Sequence, residues 1–270
     1  MNEFSNVDLD ILPVKEDGTE QKLSKPLHPN LPNIANGQVG ILISPVKTGK
    51  STIISNLLLN PNFYKDQFDM VYIISNTINN DRTSRFLKEE FPETIFDDLS
   101  RIDEIIDNII NYQDSFPRGE KPFIAIVLDD FLGIKKSSKI NYLATRARHY
   151  NIGLLLFASQ LFRGLETTIR QNATFAIIGS PNPNEKELMK ITEEYSDQFG
   201  GAENFKKLYK EASKKKYGFL YLDLQSNPSK AYSGFNNLIY ESSSNTEGDG
   251  WVKNIDKEEQ EVFITNTIIL

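Results

Sequence analysis

Gly40-Ile41-Leu42-Ile43-Ser44-Pro45-Val46-Lys47-Thr48-Gly49-Lys50-Ser51-Thr52 decides how the rest of the chain is read. An apolar run of strand length leads into a short loop, and Ser51–Leu59 then reads as a helix that stops at Asn60-Pro61. Strand, loop and helix start in that order make an anion cradle. Backbone N–H groups of the loop curl around phosphate, and the helix N-terminus adds its positive end. The expected phosphate-binding set is Ser44, Val46, Lys47, Thr48, Gly49, Lys50, Ser51 and Thr52. Gly49 lets the backbone approach closely, Lys50 reaches the outer phosphates, and the Ser51 hydroxyl ligates Mg²⁺. The stretch therefore predicts a site for a nucleoside triphosphate, ATP, with Mg²⁺. Ser44 stands where a small glycine is usual, and a serine at positive φ would be strained, so a tilted start to the loop is expected. A chance Gly-Lys-Ser turn is the bland alternative. The apolar strand before it and the apolar helix stripe after it argue against chance.

Further along, Phe123-Ile124-Ala125-Ile126-Val127-Leu128 ends in Asp129-Asp130. An apolar strand ending in carboxylates places them at the C-terminal edge of an α/β sheet, where ligands bind. Asp129 is the expected second anchor for Mg²⁺, and Asp130 the group that orients or deprotonates an attacking water. Without the loop at Gly49–Ser51, a solvated Asp-Asp turn would be the better reading. The strand Gly153–Ser159 ends in Gln160, whose neutral amide suits a contact to both γ-phosphate and water; capping the next turn is its plain alternative. Phosphoryl transfer also needs charge stabilisation, commonly from an arginine of a neighbouring subunit. Arg146 and Arg148, in Thr145-Arg146-Ala147-Arg148-His149, are candidates, and Arg163 and Arg170 follow; each is equally readable as a surface arginine. His149 reads as a packing or hydrogen-bonding residue rather than a base.

The rest of the pattern supplies a scaffold for this edge. Apolar runs at Val39–Ser44, Met70–Ser75, Phe123–Asp129, Gly153–Ser159, Thr174–Gly179 and Tyr217–Leu222 have strand length and the composition of strands covered on both faces. Between them lie helical stripes. One runs through Ile102, Ile105, Ile106, Ile109 and Ile110, with Ser100 and Asp103 at capping-box spacing. Another runs through Ile140, Leu143, Ala144 and Ala147 behind Ser137-Ser138, and Asn184–Tyr195 and Ala202–Lys215 complete the set. Alternation of this kind predicts an α/β fold of the P-loop NTPase (RecA/ASCE-like) type, a mainly parallel sheet flanked by helices on both faces. Residues 1–36 read as a flexible or peripherally docked acidic arm, 37–240 as the ATPase domain, and 241–270 as an acidic linker and tail. The apolar end, Val262–Leu270, suits a docking strand or partner peptide.

Composition narrows the classes. The chain has 270 residues, no cysteine and two histidines, His28 and His149, far apart in sequence. Disulfides, thiolate zinc sites and cysteine nucleophiles are excluded, and an imidazole metal cluster is disfavoured. No apolar run approaches the roughly 18 residues of a membrane span, and the N-terminus lacks the basic start and apolar stretch of a secretory signal. An intracellular location is expected. Net charge is −7, but the acidity sits in the tails: residues 31–240 carry 24 acids and 25 bases. A nearly neutral body leaves room for local basic loops.

Gly49-Lys50-Ser51, Leu128-Asp129-Asp130, Thr145-Arg146-Ala147-Arg148-His149 and Ser159-Gln160 occur in this order. With that combination the chain resembles the poxvirus-type genome-packaging ATPases of giant viruses and virophages, within the FtsK–HerA superfamily, over roughly Gln38 to Tyr240. The resemblance implies an ATP-driven, homo-oligomeric motor, a ring of five or six subunits, that translocates double-stranded DNA into a viral capsid. It implies phosphate and Mg²⁺ roles for Lys50 and Ser51, Mg²⁺ support from Asp129, the catalytic acid place for Asp130, and the sensor place for Gln160. Arg148 is the best match to the trans-acting arginine. Capsid or other packaging proteins would dock on the tails, and the host cytoplasm or a viral factory would be the setting, with no membrane involved. A ring needs only a basic inner surface, because phosphate contacts are sequence-independent. Lys135-Lys136, Lys139, Lys206-Lys207 and Lys214-Lys215-Lys216 are the candidate DNA contacts, with a solvated helix face as the alternative for the later groups. Two other readings share the loop: a small-molecule or nucleoside kinase, and a nucleotide-switched scaffold without fast turnover. A transporter ATPase of the ABC type would need Leu-Ser-Gly-Gly, which is not in the sequence.

Overall fold

The apolar runs become a single nine-stranded sheet in a computed structural model that describes residues 21–130, 137–180 and 184–242. In chain order the strands are β1 (Gln38–Ile43), β2 (Met70–Ser75), β3 (Ile95–Phe96), β4 (Ile124–Asp129), β5 (Ile152–Ser159), β6 (Phe175–Gly179), β7 (Phe219–Asp223), β8 (Lys230–Ser233) and β9 (Asn237–Glu241). They lie side by side as β3-β2-β4-β5-β1-β6-β7-β8-β9. Strands β3 to β6 in that row are parallel, and β7, β8 and β9 continue it antiparallel. The expected mainly parallel sheet is present.

Helices cover both faces because successive strand residues point to opposite sides. Ile41 and Ile43 of β1 join one core with α3 (Ile102–Asp114), α4 (Ser138–Arg146), α6 (Glu185–Tyr195) and α7 (Gly201–Ala212). Leu42 joins the other, with Ile54, Leu57 and Leu58 of α1 (Lys50–Leu59) and Leu87 of α2 (Arg85–Glu90). A short α5 (Thr167–Gln171) links β5 to β6. The Ile102, Ile105, Ile106 and Ile109 stripe is buried as expected, with Ile110 partly so.

Several local expectations differ from the structure. The Ser100/Asp103 capping box does not form. Asp98 accepts from Ser100 N at 2.9 Å and caps a 3-10 turn ahead of α3, while Asp103 accepts the Ser137 hydroxyl of the α4 cap. Ser137 itself caps α4, accepting from Ile140 N at 3.1 Å. Helix α7 stops at Ala212 rather than Lys215, and β7 starts at Phe219 rather than Tyr217, because residues 213–218 turn between them. Strands β3, β8 and β9 were not legible: β3 is two residues long, and the other two form a hairpin of mixed polarity.

The described part of the N-terminal arm is docked. Leu31 and Ile34 are buried, the Tyr64 hydroxyl donates to Pro32 O at 3.0 Å, and Ser24 N donates to Gln67 at 2.9 Å. Residues 1–20, Lys135-Lys136 and the tail from residue 243, including Val262–Leu270, lie outside the described residues. Among the described residues no helix is long and apolar enough to cross a membrane.

Candidate nucleotide site

Strand order builds the site. Strand β5 lies between β1 and β4, so the loop after Ile43, the Ser159-Gln160 end and the Asp129-Asp130 end share one sheet edge. Neighbouring strands are about 4.8 Å apart, so the outer two of these ends are separated by about 10 Å. One long side chain spans that gap. Lys50 Nζ lies 2.9 Å from Asp129 Oδ1 and also pairs with Asp130 Oδ1.

The loop is shaped from within. Lys47 and Gly49 take positive φ values of 64° and 101°, and Gly49 caps α1, its carbonyl accepting from Ile53 N at 2.9 Å. Thr48 turns its hydroxyl inward, donating to Pro45 O at 2.6 Å and bonding Ser44 Oγ. Val46 and Lys47 stand exposed at the crest, Thr52 is exposed on the first turn of α1, and Ser51 is partly buried. The tilted start expected at Ser44 is not present. Ser44 is fully buried, is not among the positive-φ residues, and continues the strand pairing through Ser44 N→Ser159 O at 3.0 Å. Its side chain fits because the adjacent residue is Gly179: a Cβ there would come within 2.3 Å of Ser44 Oγ.

The two carboxylates differ in environment. Asp129 is buried, and burial pushes its carboxyl above the usual range, with the Lys50 charge opposing. Its Oδ2 accepts from Ser75 Oγ at 3.3 Å, and the Lys50 ammonium lies 2.9 Å from its buried Oδ1. Asp130 is half-buried and takes φ 54°. Desolvation works against its ionisation, but hydrogen bonds from Lys50 and Thr77 and the Lys50 charge outweigh it and hold it below the usual range. Thr77 Oγ1 donates to Asp130 Oδ2 at 2.6 Å, and Gln160 Nε2 points to Asp130 Oδ1 at 3.4 Å.

The loop after β2 contributes residues that sequence reasoning missed. Besides Ser75 and Thr77 it carries Asp81, which accepts from Thr83 N and Ser84 Oγ, each at 2.9 Å, and from the Ser51 side chain. Desolvation opposes the Asp81 charge, and the bonds from Ser51, Thr83 and Ser84 more than compensate, leaving its carboxyl below the usual range. Ser75-Asn76-Thr77 at the end of the apolar run Met70–Ser75 is the same polar-end signal that marks Asp129 and Gln160.

The arginines do not join this cluster within the chain. Arg148 packs its Cγ where a Cβ on Gly37 would be 2.6 Å away, at the start of β1 rather than its end. A six-residue strand puts about 20 Å between that edge and the phosphate loop. Arg146 is exposed over the Tyr142 ring at 4.6 Å. Arg163 follows β5 on the loop's own edge, its Nε 2.8 Å from Glu187 Oε1, and Arg170 pairs with Glu194 at 2.8 Å. His149 is exposed.

No family model matches this chain, and no curated protein matches it. Among solved structures it is similar to the genome packaging NTPase B204 from Sulfolobus turreted icosahedral virus 2 in complex with sulfate. Identity is 18% and the TM-score 0.52, over 73% of this chain and 96% of that one. The same NTPase in complex with AMPPCP gives 19% identity and a TM-score of 0.50, over 72% and 96%. B204, the DNA-packaging ATPase from Sulfolobus Turreted Icosahedral Virus, gives 20% and 0.50, again over 72% and 96%. At these identities the likeness is one of architecture: the chain has the P-loop NTPase fold that these viral packaging proteins share.

Proposed function

We propose that this chain is an ATP-hydrolysing motor that moves double-stranded DNA into a viral capsid, acting as a homo-oligomeric ring. The observation that carries the reading is the convergence of Lys50, Asp129, Asp130 and Gln160 across three strand ends. A passive switch needs the loop and one carboxylate. A hydrolase also needs a group that prepares water, and here a second acid, Asp130, is aligned by a hydroxyl and an amide. The solved structures of similar fold are named as packaging NTPases, which favours the motor over other hydrolases.

The residues fit Mg²⁺ bound together with nucleotide. Such a cation takes one or two protein ligands and completes its shell with phosphates and water. Ser51 supplies a hydroxyl, and Asp129, buried at the adjoining strand end, supplies a carboxylate oxygen. The cation would neutralise charge on the β- and γ-phosphates. Within the chain, Lys50 brings positive charge to the outer phosphates, Gly49 gives backbone access, and Asp130 takes the proton of the attacking water. Gln160 holds the Asp130 carboxylate and is placed to report the γ-phosphate. Arg148, at the far edge of its own sheet, would serve only a neighbouring copy's site.

DNA contact is assigned to a cavity of about 640 Å³ at the end of α7, lined by Lys206, Lys210, Lys214, Lys215 and Lys216. Converging lysines attract a polyanion without reading its sequence. Lys139, paired with Asp107 at 2.7 Å, is a further candidate; within the cavity Lys214 is likewise paired with Glu211 at 2.5 Å and Lys206 with Glu203 at 3.8 Å.

The test is steady-state ATP hydrolysis with and without double-stranded DNA, across protein concentration at fixed low salt. Stimulation by DNA, with specific activity rising steeply as protein assembles, is the expected result. Turnover that is independent of concentration and indifferent to DNA would overturn the motor and leave a kinase or a nucleotide-switched scaffold.

A further inference from the structure

The turn between α7 and β7 runs beside the phosphate loop. Gly218 N donates to Lys215 O at 2.9 Å, and Gly218 O accepts from Ser180 N at 3.1 Å, so the turn is tied to the end of β6. At its tip Tyr217 takes φ 61°, a left-handed conformation that large side chains seldom adopt. The residue is 56% exposed, so burial in the core does not account for an aromatic there. The position does. Tyr217 Cβ and Cδ1 each lie 3.8 Å from where a Cβ on Gly49 would be, and Lys216 Nζ sits 5.0 Å from the ring centroid. A solvent-facing ring is thus held against the glycine that precedes Lys50.

We propose that Tyr217 is the platform on which the base of a purine nucleoside triphosphate stacks. The inference rests on the phosphate-loop reading and extends it to the base. Phosphates bound along Gly49–Thr52 leave the nucleoside to extend off the loop, and Tyr217 is an exposed π-surface at that point. Stacking on an aromatic ring tolerates any base, because every base has a π-face, and the larger purines cover more of the ring. Tyr217 therefore favours purine over pyrimidine nucleotides and discriminates little between adenine and guanine.

Calorimetric titration of the full chain with ATP, GTP, CTP and inorganic tripolyphosphate, each with Mg²⁺, tests this on Tyr217→Phe and Tyr217→Asn. Asparagine tolerates the left-handed backbone, so Tyr217→Asn removes the ring without forcing the turn to change. The expected result is a loss of about 5- to 100-fold in ATP and GTP affinity for Tyr217→Asn. Tripolyphosphate binding should be unchanged, CTP less affected, and Tyr217→Phe close to the parent. ATP binding by Tyr217→Asn at parental affinity would overturn the platform while leaving the phosphate loop intact. Equal losses of ATP and tripolyphosphate would also overturn it, showing that Tyr217 only shapes the loop. Failure of the parent protein to bind either ligand would overturn the phosphate-loop reading and this inference with it.

Discussion

Ser44 and Gly179 are complementary across adjacent strands: the serine hydroxyl occupies the space that any side chain on Gly179 would need, with Oγ 2.3 Å and Cβ 2.9 Å from the ideal Cβ position. The phosphate loop thus starts from a buried serine whose fit depends on a residue far away in sequence. Gly179→Ala should displace Ser44 and the Thr48 bond that shapes the loop, costing about 1–3 kcal/mol of stability and weakening nucleotide binding. Ser44→Gly in the same chain should restore much of both. Thermal unfolding and ATP calorimetry on the single and double variants check this; absence of rescue would mean the two positions are uncoupled.

Lys50→Ala should remove most nucleotide affinity, since the ammonium bridges the loop to both carboxylates. It should also destabilise the fold by about 3 kcal/mol, because two adjacent, poorly solvated carboxylates lose their counter-charge. Unchanged ATP binding by calorimetry would sink the phosphate-loop assignment.

Asp130→Asn should retain ATP but stop turnover, because the amide keeps the Thr77 geometry without a basic oxygen. Normal hydrolysis by this variant would place the base elsewhere.

Asp81→Ala should raise the Mg²⁺ concentration needed for half-maximal ATP binding by about tenfold, the usual cost of removing a group that orients a metal ligand. Tripolyphosphate binding without Mg²⁺ should barely change. A metal requirement equal to the parent's would reduce Asp81 to a cap of its own 3-10 turn.

Arg148→Ala should abolish hydrolysis and spare binding. Mixing it with Lys50→Ala subunits should restore some activity, since each variant lacks a different half of a shared site. No restoration at any ratio would count against an arginine working between copies, the role left to a residue on the far sheet edge.

Tyr64→Phe should cost about 1 kcal/mol, the worth of a typical buried hydrogen bond, by freeing the arm at Pro32. Burial raises the Tyr64 and Tyr221 hydroxyls above their ordinary range. A raised folded value means that this stability is complete below the unfolded pKa of about 10 and is lost as pH rises past it. Melting temperature should therefore fall above about pH 10, and less steeply in Tyr64→Phe.

The sequence by itself determined the strand runs, the loop at Gly49-Lys50-Ser51 and the polar ends at Asp129-Asp130 and Gln160. These are local signals: side-chain period, length and the residue types that end a buried strand. Even so, element ends slipped where backbone bonds decide them, as at Asp98, where a 3-10 turn replaced the Ser100/Asp103 box. Only the tertiary structure decided which ends become neighbours. It inserted β5 between β1 and β4, which lets Lys50 reach both carboxylates, and it brought Gly179 to Ser44, Asp81 to Ser51 and Tyr217 to Gly49. It also sent Arg148 to the opposite edge. Strand order and long-range packing depend on contacts between residues remote in the chain, and no pattern of period or composition along a single sequence records those pairings.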